Sequence, residues 1–296
     1  MARPANSDDP YGSTFVATLH NDTYPFIKPE NGSPSNIKVL VTGTSKGIGK
    51  ATVKSFARAG ASAIALLARS NLDEVANEVL HAAKQAGNKE PKILKLQADI
   101  TDTAAVEQAM KTVECEFGSL DVLVDNASRL ENWVPLAETN IDDWWRTWEL
   151  NIKGTFIVTR AALPLLLKSD LKTVLMVTSA GAFIAAPGAS AYQTTKLAQI
   201  KLVDFLMAEY GDKGLLAFSA HPGGVPTETA LNMPDNFHFY LTQTAELSAD
   251  TIVWLTRERR EWLASRFVFG PLDMEQLSTK KDEIVEKDLL KLKLAV

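Results

Sequence analysis

Residues 37–50 read IKVLVTGTSKGIGK, an apolar run that enters a glycine-rich turn without a break and leaves it as the start of an amphipathic stretch. Two phosphate-binding readings compete for such a turn. A triphosphate loop needs four residues between its first glycine and a closing Gly-Lys-Ser/Thr. Here five residues separate Gly43 from Gly49, and Lys50 is followed by Ala51, so that reading fails on spacing. A dinucleotide turn instead needs glycines that let the backbone approach a pyrophosphate seated on the amino-terminal end of the next helix. Gly43, Gly47 and Gly49 suit that need, with Ser45, Lys46 and Ile48 as the other turn residues.

Outward from this turn the pattern repeats. Runs at 62–69 (SAIALLAR), 91–99 (PKILKLQAD), 120–127 (LDVLVDNA), 172–179 (KTVLMVTS), 215–223 (LLAFSAHPG) and 266–270 (RFVFG) are near-continuously apolar, as strands buried on both faces of a parallel sheet should be. Amphipathic stretches such as 47–59, 70–87 and 102–117 lie between them. The alternation predicts an α/β fold: a doubly wound parallel sheet of about seven strands with helices on both faces, in one domain, with ligands at the carboxyl ends of the strands. The expected divisions are an N-terminal extension at 1–36, closed by the breaker cluster KPENGSPSN, a catalytic domain at 37–270 and a C-terminal tail at 271–296. Within the extension, TFVATLHNDTYPFI carries enough aromatic residues to lie on the body; the alternative is a flexible tail.

Composition removes several classes of function. With 296 residues, 46% of them hydrophobic, the chain can bury a large core. A net charge of −5 and a pI near 5.5 offer no basic surface, so neither nucleic acid nor an anionic membrane is expected as a partner. Cys115 is the only cysteine, which excludes an intrachain disulfide and a thiol metal cluster. His20, His81, His221 and His238 are scattered without ligand spacing, and no metal is expected. The first residues lack a secretory pattern and no run is long enough to span a bilayer, so a cytoplasmic protein is expected.

The end of the second strand bears on which dinucleotide is held. An NAD site usually carries an acid there for the ribose hydroxyls. This chain has Ala68-Arg69-Ser70. A guanidinium can grip a 2′-phosphate that a carboxylate would repel, and Lys46 in the turn adds a second positive charge, so NADP(H) is favoured over NAD(H).

Further along, Ser190–Ala198 reads SAYQTTKLA and places Tyr192 and Lys196 on one helix face, four residues apart. With TGTSKGIG, Asp125-Asn126-Ala127-Ser128, LNIKG and VTSAG in the expected order, the chain resembles the short-chain dehydrogenase/reductase family from about Ile37 to Gly270. The resemblance implies a Rossmann-type fold and a set of roles. Asp99 and Ile100 would contact adenine, and Asn126 and Ala127 would brace the cofactor. Asn151, Ser179, Tyr192 and Lys196 would form the catalytic set, with Ser179 thirteen residues before Tyr192, the family's usual spacing. Pro222, Gly223, Val225 and Thr227 match the segment that closes over nicotinamide. Asp125 and Ser128 depart from the family's Asn and Gly.

The implied chemistry is coherent. Carbonyl reduction places negative charge on oxygen as hydride reaches carbon, so a proton donor and a hydrogen-bond donor must meet that oxygen. Tyr192 would donate the proton, and Ser179 would polarise the carbonyl. The Lys196 ammonium, with oxidised nicotinamide, would lower the phenol's pKa from its ordinary value near 10, and Lys196 would also hold the nicotinamide ribose. Asn151 would hold a water linking Lys196 to solvent. A hydrolase is not supported, because no Gly-x-Ser-x-Gly elbow is present.

The region 224–248 is expected to form a lid. Met233, Phe237, Phe239 and Tyr240, with Trp133 and Phe183, suggest a hydrophobic or aromatic carbonyl or alcohol substrate. The helix opened by Tyr192 is apolar around most of its circumference, which together with the resemblance points to a homodimer or homotetramer. Two other functions stay open: a non-redox dehydration, epimerisation or cyclisation in the same pocket, and a non-catalytic NADP(H)-binding interaction protein.

Overall fold

In the computed structural model, which describes residues 9–32 and 36–294, the apolar runs form one parallel sheet. Its strands are β1 (Lys38–Thr42), β2 (Ala63–Ala68), β3 (Lys92–Gln97), β4 (Val122–Asp125), β5 (Thr173–Val177), β6 (Leu216–His221) and β7 (Phe267–Phe269). The connecting helices are α1 (Gly47–Arg58), α2 (Asp73–Gln85), α3 (Thr103–Phe117), α4 (Ile141–Trp148), α5 (Thr155–Leu166), α6 (Ser190–Tyr210) and α7 (Ala245–Thr256); α8 (Met274–Thr279) and α9 (Lys281–Glu286) follow β7. The order β3-β2-β1-β4-β5-β6-β7 starts in the middle, winds out to one edge, and crosses back to wind out to the other. The reversal between β1 and β4 leaves a crevice at their carboxyl ends, where the glycine turn and the segment after Asp125 emerge side by side.

Successive strand residues serve opposite faces. Val39, Val41 and Ile64 pack into a core with α1, α2 and α7, whereas Leu40, Ala65 and Leu67 pack into a second core with α3, α5 and α6. Burial on both faces explains the unbroken apolar runs of the central strands. β3 differs from that expectation: Lys92, Lys95 and Gln97 are exposed, because β3 is the sheet's edge and helices cover it only in part.

Part of the 1–36 segment, residues 1–8 and 33–35, lies outside the described residues. Its described portion is held down along the body. Val16, Tyr24 and Ile27 are buried in the α1/α7 core. Leu19 bridges Leu272, the Met274 amide donates to the Tyr24 hydroxyl at 2.6 Å, and the Thr23 hydroxyl donates to Asp250 at 2.7 Å. Asp250 is also reached by Ser55 and Arg58 of α1, so one buried carboxylate ties this strap to two helices.

Candidate active site

The crevice is built around Thr42. Its hydroxyl donates to Asp125 Oδ1 at 2.9 Å and accepts from the Asn126 and Ala127 amides, both at 2.8 Å. Asn126 Nδ2 donates to the Thr42 carbonyl at 2.9 Å, locking the end of β4 onto the start of the glycine turn. The closeness explains the glycines. A Cβ on Gly43 would lie 2.9 Å from the Ala127 Cα, and one on Gly49 would lie 2.3 Å from the Gly43 carbonyl oxygen. Gly47 has φ +57° and faces Thr227, so the turn looks directly at the segment expected to clasp nicotinamide. In that segment Pro222 and Val225 are buried, and Gly223 has φ +110°.

Arg69 stands exposed at the end of β2, its guanidinium 3.8 Å from Asp99. Asp99 accepts from the amide and hydroxyl of Thr101; burial opposes ionisation, but these bonds and Arg69 hold its carboxyl below the usual value. Ile100 is buried against Gly154, where a Cβ would meet its side chain at 2.7 Å. Lys46 pairs with Glu228 at 2.5 Å and so bridges the turn to the lid. Ser45 and Ile48 are partly buried, Ile48 against the core.

Asn151 owes its position to a π-helical turn, Glu149–Gly154, inserted between α4 and α5. Such turns bulge one residue out of the α-helical ladder and are frequent at functional sites. The buried side chain accepts from the Arg129 amide at 2.8 Å and donates to the Arg129 carbonyl and to Thr195, at 2.9 and 3.0 Å. The Ser128 hydroxyl also donates to it at 3.3 Å, so the departure at that position adds a contact here. Its backbone carbonyl accepts from Gln199 Nε2 at 2.9 Å.

Ser179 follows β5 by two residues, its hydroxyl accepting from the Gly181 amide at 3.0 Å and acting to lower the pKa of the Tyr192 phenol. Lys196 follows one turn after Tyr192, its Nζ 5.5 Å from the centre of the ring. The Lys196 side chain is buried, and Nζ donates to the Val177 carbonyl and Gln199 Oε1 at 2.9 and 3.0 Å. Burial lowers its pKa to about 8, opposed by the nearby Asp125 carboxylate, whose own pKa burial raises. The lowering expected of the Tyr192 phenol includes oxidised nicotinamide beside it; in the chain itself the phenol is raised, chiefly by burial and also by the Glu131 carboxylate, against a lowering by Ser179. Lys196 does little to reverse this while its ammonium is turned toward Val177 and Gln199. His221 is lowered to about 4 by burial, so it is neutral, and its ring lies tilted against Phe269 with centroids 5.0 Å apart.

The six aromatic or apolar substrate candidates do not converge on one wall. Trp133 and Phe237 meet edge to face at 4.8 Å. Phe183 packs on Phe267 of β7 instead, and Phe239 and Tyr240 pair with each other in solvent, 66% and 57% exposed. Met233 offers its carbonyl to His238 Nε2 at 2.9 Å. Two residues absent from the sequence expectations belong to the site: Gln199, a polar residue three positions after Lys196, and Glu131, which binds the start of α6. Gln199 carried a faint signal, a lone amide in an apolar stretch of α6; Glu131 carried none.

The residues present fit a nicotinamide dinucleotide. The glycine cradle is one that any Cβ would fill, and the Thr44 hydroxyl inside it is buried without a partner. A dinucleotide cradle facing a Ser-Tyr-Lys cluster defines a nicotinamide-dependent oxidoreductase.

The chain belongs to the short chain dehydrogenase family, which it matches over residues 38–236. It is 50% identical over 285 residues to the short chain dehydrogenase mpl6 of Monascus purpureus, covering 96% of this chain and 98% of that one. Among solved structures, a short chain dehydrogenase from Shigella flexneri complexed with NADP is 25% identical with a TM-score of 0.67, covering 80% of this chain and 99% of that one. The NADH-dependent reductase A1-R′ complexed with NAD shares the fold at 21% identity and a TM-score of 0.67, over 80% of this chain and 97% of that one. Among the described residues no helix is long and apolar enough to cross a membrane.

Proposed function

We propose that this short chain dehydrogenase is an NADP(H)-dependent reductase of a hydrophobic or aromatic ketone or aldehyde, with Tyr192 as the proton donor. The observation that carries the reading is the gathering of Ser179, Tyr192 and Lys196 beside the cradle: Ser179 lies close enough to the Tyr192 phenol to favour its ionised form, and the buried Lys196 Nζ lies 5.5 Å from the centre of the Tyr192 ring. When bound, the nicotinamide supplies or accepts hydride. Ser179 and Tyr192 would then hold the substrate oxygen between two donors, and Tyr192 would pass its proton to that oxygen as charge develops. Asn151 fixes the π-helical turn against α6 through Thr195, holding the Tyr192 helix in place.

NADP(H) is supported by the two cations at the cradle, Arg69 and Lys46, and by the Shigella flexneri relative complexed with NADP. The apolar substrate is supported by the Trp133–Phe237 pair. Exposed Trp145, Phe156 and Phe205 on α4, α5 and α6 support a homodimer or homotetramer. The deciding experiment is a carbonyl panel with NADPH consumption and product followed together. Faster turnover of bulky aromatic ketones than of sugars supports the reading. Product formed with no NADPH consumed would replace it with a non-redox dehydration, epimerisation or cyclisation.

A further inference from the structure

Each of the two cations at the cradle is held by an acid from another segment. Arg69, just past β2, lies 3.8 Å from Asp99, which follows the neighbouring strand β3. Lys46, at the start of α1, lies 2.5 Å from Glu228 in the lid. The Gly43 amide donates to the Leu67 carbonyl at 2.8 Å, so the turn that carries Lys46 is bonded to β2 two residues before Arg69. The two acids differ in their other ties. Asp99 also accepts from the Thr101 amide and hydroxyl, whereas Glu228, its side chain 75% exposed, makes no other ion pair among the described residues.

The backbone around Glu228 is a closed turn. The Thr227 carbonyl accepts from the Leu231 amide at 2.9 Å, and the Thr227 hydroxyl accepts from the Ala230 amide at 3.2 Å, so residues 227–231 shift together. This turn rests on the cradle, where a Cβ on Gly47 would lie 3.0 Å from Thr227 Cγ2. The Lys46–Glu228 pair is the charged link that holds the two turns together.

We propose that Glu228 is a latch on Lys46 that a 2′-phosphate releases. A phosphate monoester carries nearly two negative charges at neutral pH and displaces a single carboxylate from the lysine, whose ammonium sits on a rotatable stem. The lid turn 227–231 then comes free of the glycine turn, and a dinucleotide without that phosphate leaves the pair intact. The inference rests on the NADP(H) reading and adds to it that cofactor choice is coupled to the lid. Such coupling is reciprocal: whatever the latch adds to lid closure, it subtracts from 2′-phosphate binding. Because both side chains are exposed, the factor is small, about two- to fivefold.

The test uses adenosine 2′,5′-bisphosphate and adenosine 5′-monophosphate, which carry no nicotinamide to engage the segment above it. Calorimetric titration of the full chain at about 0.15 M salt, where distant charges are screened, is paired with deuterium exchange over 227–232. In the wild type the bisphosphate should speed that exchange and the monophosphate should not. In Glu228→Gln the unliganded lid should exchange fast from the outset, the bisphosphate should bind about two- to fivefold more tightly, and the monophosphate should be unaffected. With Lys46→Met as background, Glu228→Gln should add no tightening. The same tightening without Lys46 would overturn the inference, leaving Glu228 a distant charge, and so would lid exchange that neither Glu228→Gln nor the bisphosphate alters. A bisphosphate that binds the wild type no more tightly than the monophosphate would remove the NADP(H) reading and the latch with it. A tighter bisphosphate with Glu228→Gln silent would leave that reading standing and overturn the latch alone.

Discussion

Lys196 Nζ and Gln199 Oε1 lie 3.0 Å apart within one buried turn of α6, and the same amide's nitrogen reaches the Asn151 carbonyl and the Thr155 hydroxyl, each at 2.9 Å. The glutamine thus joins Lys196 to the π-helical turn by direct bonds.

Replacing Gln199 tests that link. Gln199→Leu should strand the Asn151 carbonyl and remove one acceptor from a buried ammonium, costing about 1–3 kcal/mol. Denaturant unfolding should show that loss, and kcat should fall more than KM for the carbonyl, because the lysine is displaced rather than the substrate wall. Unchanged kcat with intact stability would show that the network is dispensable.

The lowered pKa of Lys196 makes a signed prediction for stability. Its folded value of about 8 lies below the ordinary 10.5, so between those values the unfolded chain binds more protons than the native one. Stability contributed through this group therefore rises as pH climbs through that window, and at neutral pH its burial is a cost. Against Lys196→Met, the wild type should gain about 3 kcal/mol of relative stability from neutral pH to above the ordinary lysine value. A difference independent of pH across the window would mean that the ammonium is better solvated than its burial implies.

Arg69 and Asp99, 3.8 Å apart, stand where the second strand would meet a 2′-phosphate. Arg69→Ala should weaken NADPH by about tenfold or more, the scale of a lost charge-assisted bond, and leave NADH nearly unchanged. Titration calorimetry with both dinucleotides checks it; equal weakening of the two would remove the case for NADP(H).

The N-terminal strap reaches the 222–227 segment through two side chains. Asn21 Oδ1 accepts from Gln243 Nε2 at 2.6 Å, and Gln243 holds both backbone groups of Gly224, its Oε1 2.7 Å from the amide and its own amide 2.9 Å from the carbonyl. Asn21→Ala should loosen Gly224 and weaken dinucleotide binding several-fold with little change in melting temperature. Faster hydrogen exchange confined to 222–228 would accompany it; unaltered exchange and affinity would show that the strap is only packing.

The exposed aromatic residues of α4, α5 and α6 predict self-association. The wild type should sediment as a dimer or tetramer, and Phe205→Glu with Trp145→Glu should shift it toward monomer. A monomeric wild type at micromolar concentration would leave those side chains unexplained.

The sequence alone determined the sheet, its parallel sense and the glycine turn, because each depends on neighbours in the chain: an apolar run needs only its own residues, and a phosphate turn only its glycine spacing. It also placed Ser179, Tyr192 and Lys196, since their spacing follows from one strand end and one helix turn. What only the tertiary structure decided is how those residues are held and charged. Glu131 on the start of α6, Gln199 between Lys196 and the π-helical turn, Asn21 behind Gly224, and the separation of Phe183 from Trp133 all arise where distant segments meet. Burial and a carboxylate from another segment together raise the Tyr192 phenol in the chain itself. Desolvation and charge depend on what surrounds a group in space, and no period or spacing along the chain encodes them.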